Sequence, residues 1–317
     1  MYISAQYEIP LVLEDQSAPE LLPDQDRDRN VALHLGRGIA TLALVSVVAA
    51  CGPADGKTSE PNPLPVSLST AGSLPPSSRT VDVYYAGGSA DVVATGASVS
   101  LLVARPKVGS RDYHSLSEIA LRTDVGVTPR ANGKDAEDIE LGWTVDPQLF
   151  HDNEPHLFVF PTKDGVQDPK CYNNSACGFV QLPGTIKAGA VLPVGEAHRF
   201  GIYHSDQKAQ WQVYYDGIEF GYMPDSYWKT AAFKRVAAIA IYGEVMANDV
   251  APRPCTQMGD GGLGAADKDA ITQPSYRSPD RQVRALALMP FTNPQTAFYA
   301  AQLTANGIHF GGPGAQC

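Results

Sequence analysis

Charge is scarce in this chain. Only 18% of its 317 residues are charged, acid outweighs base, and the formal net charge is -10. A surface of that sign repels phosphate backbones, which excludes nucleic acid as a partner. Long apolar runs are also lacking. The one sustained run, residues 39–50 (IATLALVSVVAA), reaches only about 18 Å as a helix, short of the roughly 30 Å of a bilayer core. It is therefore a secretory-type apolar segment and not a membrane span. Cysteine is sparse, at five. The cysteines form no close CxxC with neighbouring His, and the seven His show no metal-ligand spacing, so no metal is expected. The Asp residues near 260–269 lack the spacing of a calcium loop, and the Gly-rich 259–262 segment lacks the strand and Lys-Ser/Thr context of a phosphate loop.

What is present falls into four segments. Residues 1–30 are acidic and proline-containing, with no periodicity, and are expected to be disordered or an over-long start. Residues 31–50 carry Arg37 and His34 before the apolar run and read as a signal peptide. That run ends Val48-Ala49-Ala50-Cys51-Gly52, which resembles a bacterial lipoprotein processing site, with Cys51 as the lipidated residue. Residues 51–79 are polar and proline-rich, suited to an extended, solvated tether. Acyl chains on Cys51 would be the chain's only hold on a membrane. Residues 80–317 form the folded domain.

The chain's 29 Gly and 25 Pro punctuate short runs of Val, Thr, Tyr and Phe. The pattern predicts strands near 81–85, 96–103, 115–121, 139–143, 157–160, 179–182, 198–204, 211–215, 218–222, 237–246, 285–290 and 307–310. Asp216-Gly217 marks a hairpin, and 227–231 is a short helix candidate. The fold class is all-β: a two-sheet antiparallel sandwich with few short helices.

Two carboxylates stand out. Alternation puts Ile139, Leu141 and Trp143 on one face of a strand and Glu140 with Gly142 on the other. Glu140 then either meets solvent or lines a cleft. Glu244 sits in AIAIYGEVM, where a carboxylate is either at a strand end in water or at a site where it is paired or protonated.

The motifs IELGWTV, LFVF, CYN with CGFVQ, FGYMPDSYW, AIYGEV and CTQMGDG occur in one order, and HFGGPGAQC closes the chain. Together they resemble the neprosin family of secreted β-sandwich glutamic peptidases that cut next to proline, over about residues 96–317. The resemblance implies a catalytic pair, Glu140 and Glu244, meeting in a groove, with no cofactor. It implies a disulfide between Cys171 and Cys177, which leaves Cys255 and Cys317 as a second pair. In plant relatives the terminal cysteine pairs instead with one in a segment that reads Phe298-Tyr299 here. Trp143, Tyr215, Tyr222 and Trp228 are candidates for an apolar groove wall that receives a proline ring, against the commoner role of such rings in core or surface packing. Gln257 is a candidate hydrogen-bond donor to substrate, or a loop side chain bonding backbone. This sequence departs from the family pattern at Met223, at Tyr242, at Gly262-Leu263 and at Glu118, which puts a third carboxylate on a strand that is a candidate to line the groove.

The resulting expectation is an exported endopeptidase acting on proline-rich peptides, lipid-anchored to the cell envelope, at the outer membrane where two membranes are present. Two other readings of the same residues stand: a non-catalytic peptide- or glycan-binding sandwich, and a glycosidase using two carboxylates. The anchor is testable by fractionation. Cys51→Ser removes the thiol that acylation needs, so the variant should leave the membrane fraction; a variant that stays there as wild type does refutes the anchor.

Overall fold

The computed structural model describes residues 81–123, 136–165, 167–228, 233–248, 254–263, 270–294, 297–305 and 307–317. The expected signal peptide, the expected tether and Cys51 lie outside the described residues. The strands in chain order are β1 (Val81–Ala94), β2 (Gly96–Leu102), β3 (His114–Arg122), β4 (Asp138–Val145) and β5 (His156–Thr162). Then come β6 (Val180–Gln181), β7 (Ala197–Ser205), β8 (Gln210–Tyr215), β9 (Ile218–Pro224) and β10 (Val236–Asn248). The last are β11 (Ala270–Arg277), β12 (Val283–Ala285), β13 (Met289–Asn293), β14 (Ala300–Thr304) and β15 (Gly307–Gly311). One helical turn, α1 (Pro147–Phe150), follows β4.

The strands form two antiparallel sheets. The first has six strands in the order β13-β1-β10-β3-β4-β5. The second runs β14-β15-β11-β2-β7-β8-β9-β6, with β12 added beside β11. The core lies between them. Ile119, Leu121, Ile139, Leu141, Trp143, Ile239, Ile241 and Val245 enter it from the first sheet, and Val99, Leu101, Phe200, Ile202, Trp211 and Val213 from the second. Removing this apolar surface from water is the main drive for the sandwich.

The expected strands are present apart from the run at 285–290, several of them longer than expected. β8 and β9 are joined by Asp216-Gly217, both at positive φ (49° and 79°), the backbone that a two-residue hairpin needs. Two strands escape the sequence reading. β11 contains Pro274 and a register shift between Thr272 and Ser275, which breaks its alternation. β14 is a mostly exposed edge without an apolar face. The run expected at 285–290 divides into β12 and β13, which lie in different sheets. Where a helix was expected near 227, a 3₁₀ turn spans Asp225–Tyr227, and residues 229–232 lie outside the described set.

Both disulfides form: Cys171–Cys177 and Cys255–Cys317. The second ties the chain end to the segment after β10. There Asp112 is buried and accepts from Thr256 Oγ1 (2.7 Å), the Cys255 amide (2.9 Å) and the Asn248 amide (3.1 Å). Tyr299, in the Phe298-Tyr299 segment where plant relatives are expected to carry the partner cysteine, donates its hydroxyl to the Thr256 carbonyl at 2.7 Å.

The two bridges close loops of very different length, with sequence separations of 6 and 62. Loop-closure entropy then gives about 2 kcal/mol for the first and about 4 kcal/mol for the second. Urea unfolding of the Cys171→Ser/Cys177→Ser and Cys255→Ser/Cys317→Ser variants should rank them in that order; equal losses contradict it.

Candidate active site

The site is built by the register of three central strands. β3 pairs β10 on one side and β4 on the other. One cross-sheet row reads Ala240, Ala120, Glu140, Phe160. The next reads Phe291, Gly87, Tyr242, Glu118, Gly142, Phe158. The third reads Asn293, Tyr85, Glu244, Leu116, Thr144, His156. All three rows face away from the core, because their neighbours Ile119, Leu141 and Ile241 face into it. Glu140 and Glu244 therefore share the outer face of the first sheet. Each is a diagonal neighbour of Glu118, about 7–8 Å away along the sheet and within reach of long side chains.

This face is covered as well as polar. Every residue of β4 is buried. The cover is the disulfide loop after β5. Asn173 pins that loop to the edge strand β5: its Oδ1 accepts the Val159 amide at 2.8 Å, and its Nδ2 donates to the Leu157 carbonyl at 3.2 Å. Tyr172 then stacks on Phe158 (4.9 Å between ring centres), near Phe160 (5.6 Å). On the opposite flank Tyr242 meets Tyr85 edge-on at 5.6 Å and Phe291 at 6.2 Å.

Charge in this covered face is lopsided. Among the described residues, Glu118, Asp138, Glu140 and Glu244 face one guanidinium, Arg122, which lies opposite Asp138 in the ladder. Burial pushes the Glu140 carboxyl well above the usual carboxylate range, and the charges of Glu118, Asp138 and Glu244 push it further. Burial does the same to Glu118, followed by the charge of Glu244, against an opposing hydrogen bond from Tyr242. Burial first, and then the charge of Glu118, raises the Tyr242 phenol in turn. Glu244 keeps some access to water, its side chain 14% exposed. Its Oε1 lies 2.9 Å from His114 Nε2, and His114 Nδ1 lies 3.9 Å from Asp146 Oδ2. Asp146 is itself fixed as the cap of α1, accepting the amides of Gln148 and Leu149. On the other side Gln167 Nε2 reaches Glu140 Oε1 at 3.5 Å.

The candidate wall residues stand elsewhere. Trp143 has the opposite parity to Glu140, so it lies in the core, where its indole donates to the Leu102 carbonyl at 3.0 Å. Tyr215 packs on Phe200 from the second sheet, and Trp228 packs on Phe233 in the core. Tyr222 pairs Gln212 and Val180 within the second sheet. The rings beside the carboxyl groups are Tyr85, Phe158, Phe160, Tyr172, Tyr242 and Phe291. Tyr242, Phe158 and Phe160 were within reach of a parity argument. Tyr172 was not, since a loop delivers it. Gln257 uses its Oε1 to accept the Lys107 amide at 2.9 Å, so it braces the loop that Asp112 organises.

A family model, Neprosin, matches residues 112–313, more than half of the chain. No curated protein matches it. Among solved structures the chain is similar to "CG-16, a homodimeric agglutinin from chicken liver", at 12% identity over 54% of this chain and 97% of that one, with a TM-score of 0.24. It is similar to a structure described as a native glycosidic hydrolase at 11% identity, over 54% and 81%, again with a TM-score of 0.24. At that score neither likeness bears on fold or ligand.

The raised carboxyl groups set the sign of stability against pH. A carboxyl whose folded pKa exceeds its unfolded value binds more protons when folded, so stability falls as pH rises from that unfolded value to the folded one. For Glu118 and Glu140 the decline starts near the ordinary value of 4.5. Thermal melts should therefore show a midpoint that drops from pH 4.5 toward neutrality, with a shallower drop in Glu140→Gln. A midpoint that rises over this range contradicts the assignment.

Proposed function

The chain belongs to the neprosin family, and from that premise we propose that it is a glutamic endopeptidase hydrolysing proline-containing peptides. The family is associated with peptidase activity. The observation that carries the reading is the common placement of Glu140 and Glu244: both project onto one covered face, in one electrostatic cluster, from separate strands.

Their surroundings divide the roles. Glu140 is 6% exposed and its carboxyl is pushed up by burial, so it holds a proton and serves as the acid. Glu244 keeps some access to water and is braced by His114, so it serves as the base. Glu244 takes a proton from water as the water oxygen attacks the peptide carbonyl carbon. Glu140 gives its proton to the carbonyl oxygen as that carbon becomes tetrahedral. On collapse the C–N bond breaks, the leaving amine takes the proton that Glu244 gained from water, and the re-forming carbonyl returns its hydroxyl proton to Glu140, which restores both carboxyl groups. Tyr85, Tyr172 and Phe291 supply flat apolar surface of the kind a pyrrolidine ring packs on. Working at the envelope through a lipid on Cys51 would put the enzyme among extracellular peptides.

Glu140→Gln and Glu244→Gln keep the side-chain shape and remove the proton transfer. Each should lower kcat by about 10²–10⁴-fold, and the double variant should be little worse than either single one. The measurement is cleavage of a proline-containing peptide by the purified full chain, with a polysaccharide as control. Full activity in Glu244→Gln, or release of sugars in place of peptides, ends the peptidase reading.

A further inference from the structure

Glu118 occupies the middle of the site. It is the residue of β3 that is diagonal both to Glu140 on β4 and to Glu244 on β10. It is 2% exposed, and its direct neighbour in the row, Tyr242, is 1% exposed. We propose that Glu118 is the positioning residue of this site: a neutral carboxyl group, anchored by the Tyr242 hydroxyl, that bridges Glu140 and Glu244 and holds them at the spacing a water and a peptide carbonyl require. The proposal rests on the peptidase reading and extends it beyond the two glutamates.

Three features of the geometry support it. The first is space. A Cβ at Gly142 would lie 2.0 Å from the Ser117 carbonyl oxygen and 2.9 Å from Glu118 Cβ. Glycine there leaves Glu118 room to lean across β4. A Cβ at Gly87 would likewise lie 2.5 Å from Tyr242 Cα. The two glycines flank Tyr242 and Glu118 in a single row. The second is anchoring. The Tyr242 hydroxyl donates to the Glu118 carboxyl, and Tyr85 and Phe291 hold the Tyr242 ring in place. The third is access. Glu118 is shut off from water, whereas Glu244 is not. Glu118 can therefore act on its neighbours and not on the attacking water.

The groups facing it decide its charge state. They are Arg122 on its own strand, Tyr242 and Glu244 on β10, Asp138 and Glu140 on β4, and Tyr172 from the disulfide loop, with His114 beyond Glu244. Among the described residues one guanidinium does not balance four carboxylates, and burial acts in the same direction as that excess. A neutral carboxyl accepts from Tyr242 and still has its own O–H to donate to a flanking carboxylate. An ionised one has no donor and repels the Glu244 carboxylate.

Three substitutions test the proposal on the full chain. Glu118→Gln keeps a donor and an acceptor without ionising. It should retain wild-type kcat at acidic pH, with an alkaline limb at the wild-type position or higher. Glu118→Leu removes both functions and should lower kcat about 100-fold with little change in KM, the scale of a misplaced reacting group. Tyr242→Phe, a milder change that preserves packing, should lower kcat about tenfold, the equivalent of one hydrogen bond. Glu118→Gln as inactive as Glu140→Gln would place Glu118 in the proton transfer itself and overturn the positioning role. Wild-type kcat in Tyr242→Phe or in Glu118→Leu, or an alkaline limb moved down in Glu118→Gln, also overturns it. Carbon-13 NMR of carboxyl-labelled glutamate reads the same proton without turnover. The resonance lost in Glu118→Gln should stay protonated above the ordinary carboxylate range, and titration within that range overturns the bridge. A wild-type protein that cleaves no peptide sinks the peptidase reading alone, because the NMR titration still decides the state of Glu118.

Discussion

The site depends on the register of three strands. β10, β3 and β4 are aligned so that Glu244, Glu118 and Glu140 fall on one diagonal of the outer face. A slip of one residue in any ladder would turn that strand's carboxyl groups into the core and its isoleucines and leucines out of it. The large apolar side chains on the core face, Ile119, Leu141, Trp143 and Ile241 among them, make such a slip costly. The packing that stabilises the sandwich therefore also sets the spacing of the chemistry on its other side.

Covering that face changes what the carboxyl groups are. In water, four carboxylates on neighbouring strands would simply ionise and repel. Under Tyr172, Phe158 and Phe160 the charged form is penalised, and Glu118 and Glu140 shift toward the neutral state. The cover comes from a short disulfide loop held to the β5 edge by one asparagine. That loop has two roles. It satisfies the backbone of an edge strand, and it lowers the polarity around a group that must hold a proton. Glu244 lies at the less covered end of the diagonal, against His114.

A second buried carboxylate, Asp112, does the opposite work. It accepts a hydroxyl and two backbone amides, so it is fully engaged and organises the segment after β10. The CTQMGDG motif is thereby explained as architecture. Thr256 bonds Asp112, Gln257 bonds the Lys107 amide, and Met258 packs in the core behind Gly243. Cys255 anchors the chain end to the same place.

Period-two alternation in short runs established the all-β class, and parity alone assigned Glu140 to the face opposite Ile139, Leu141 and Trp143. Parity also argues against Trp143 as a groove residue, since a side chain of opposite parity points through the sheet. β11 and β14 were not legible, because a proline bulge in one and an exposed edge in the other erase the alternation that marks a strand. The sequence by itself determined which residues share a face within each strand, because that is a local property of the extended backbone. Only the tertiary structure decided which strands are neighbours, and so that Glu118 stands between Glu140 and Glu244 and that Tyr172 closes over them. Strand order and loop docking are set by contacts between residues far apart in the chain, which no local pattern encodes.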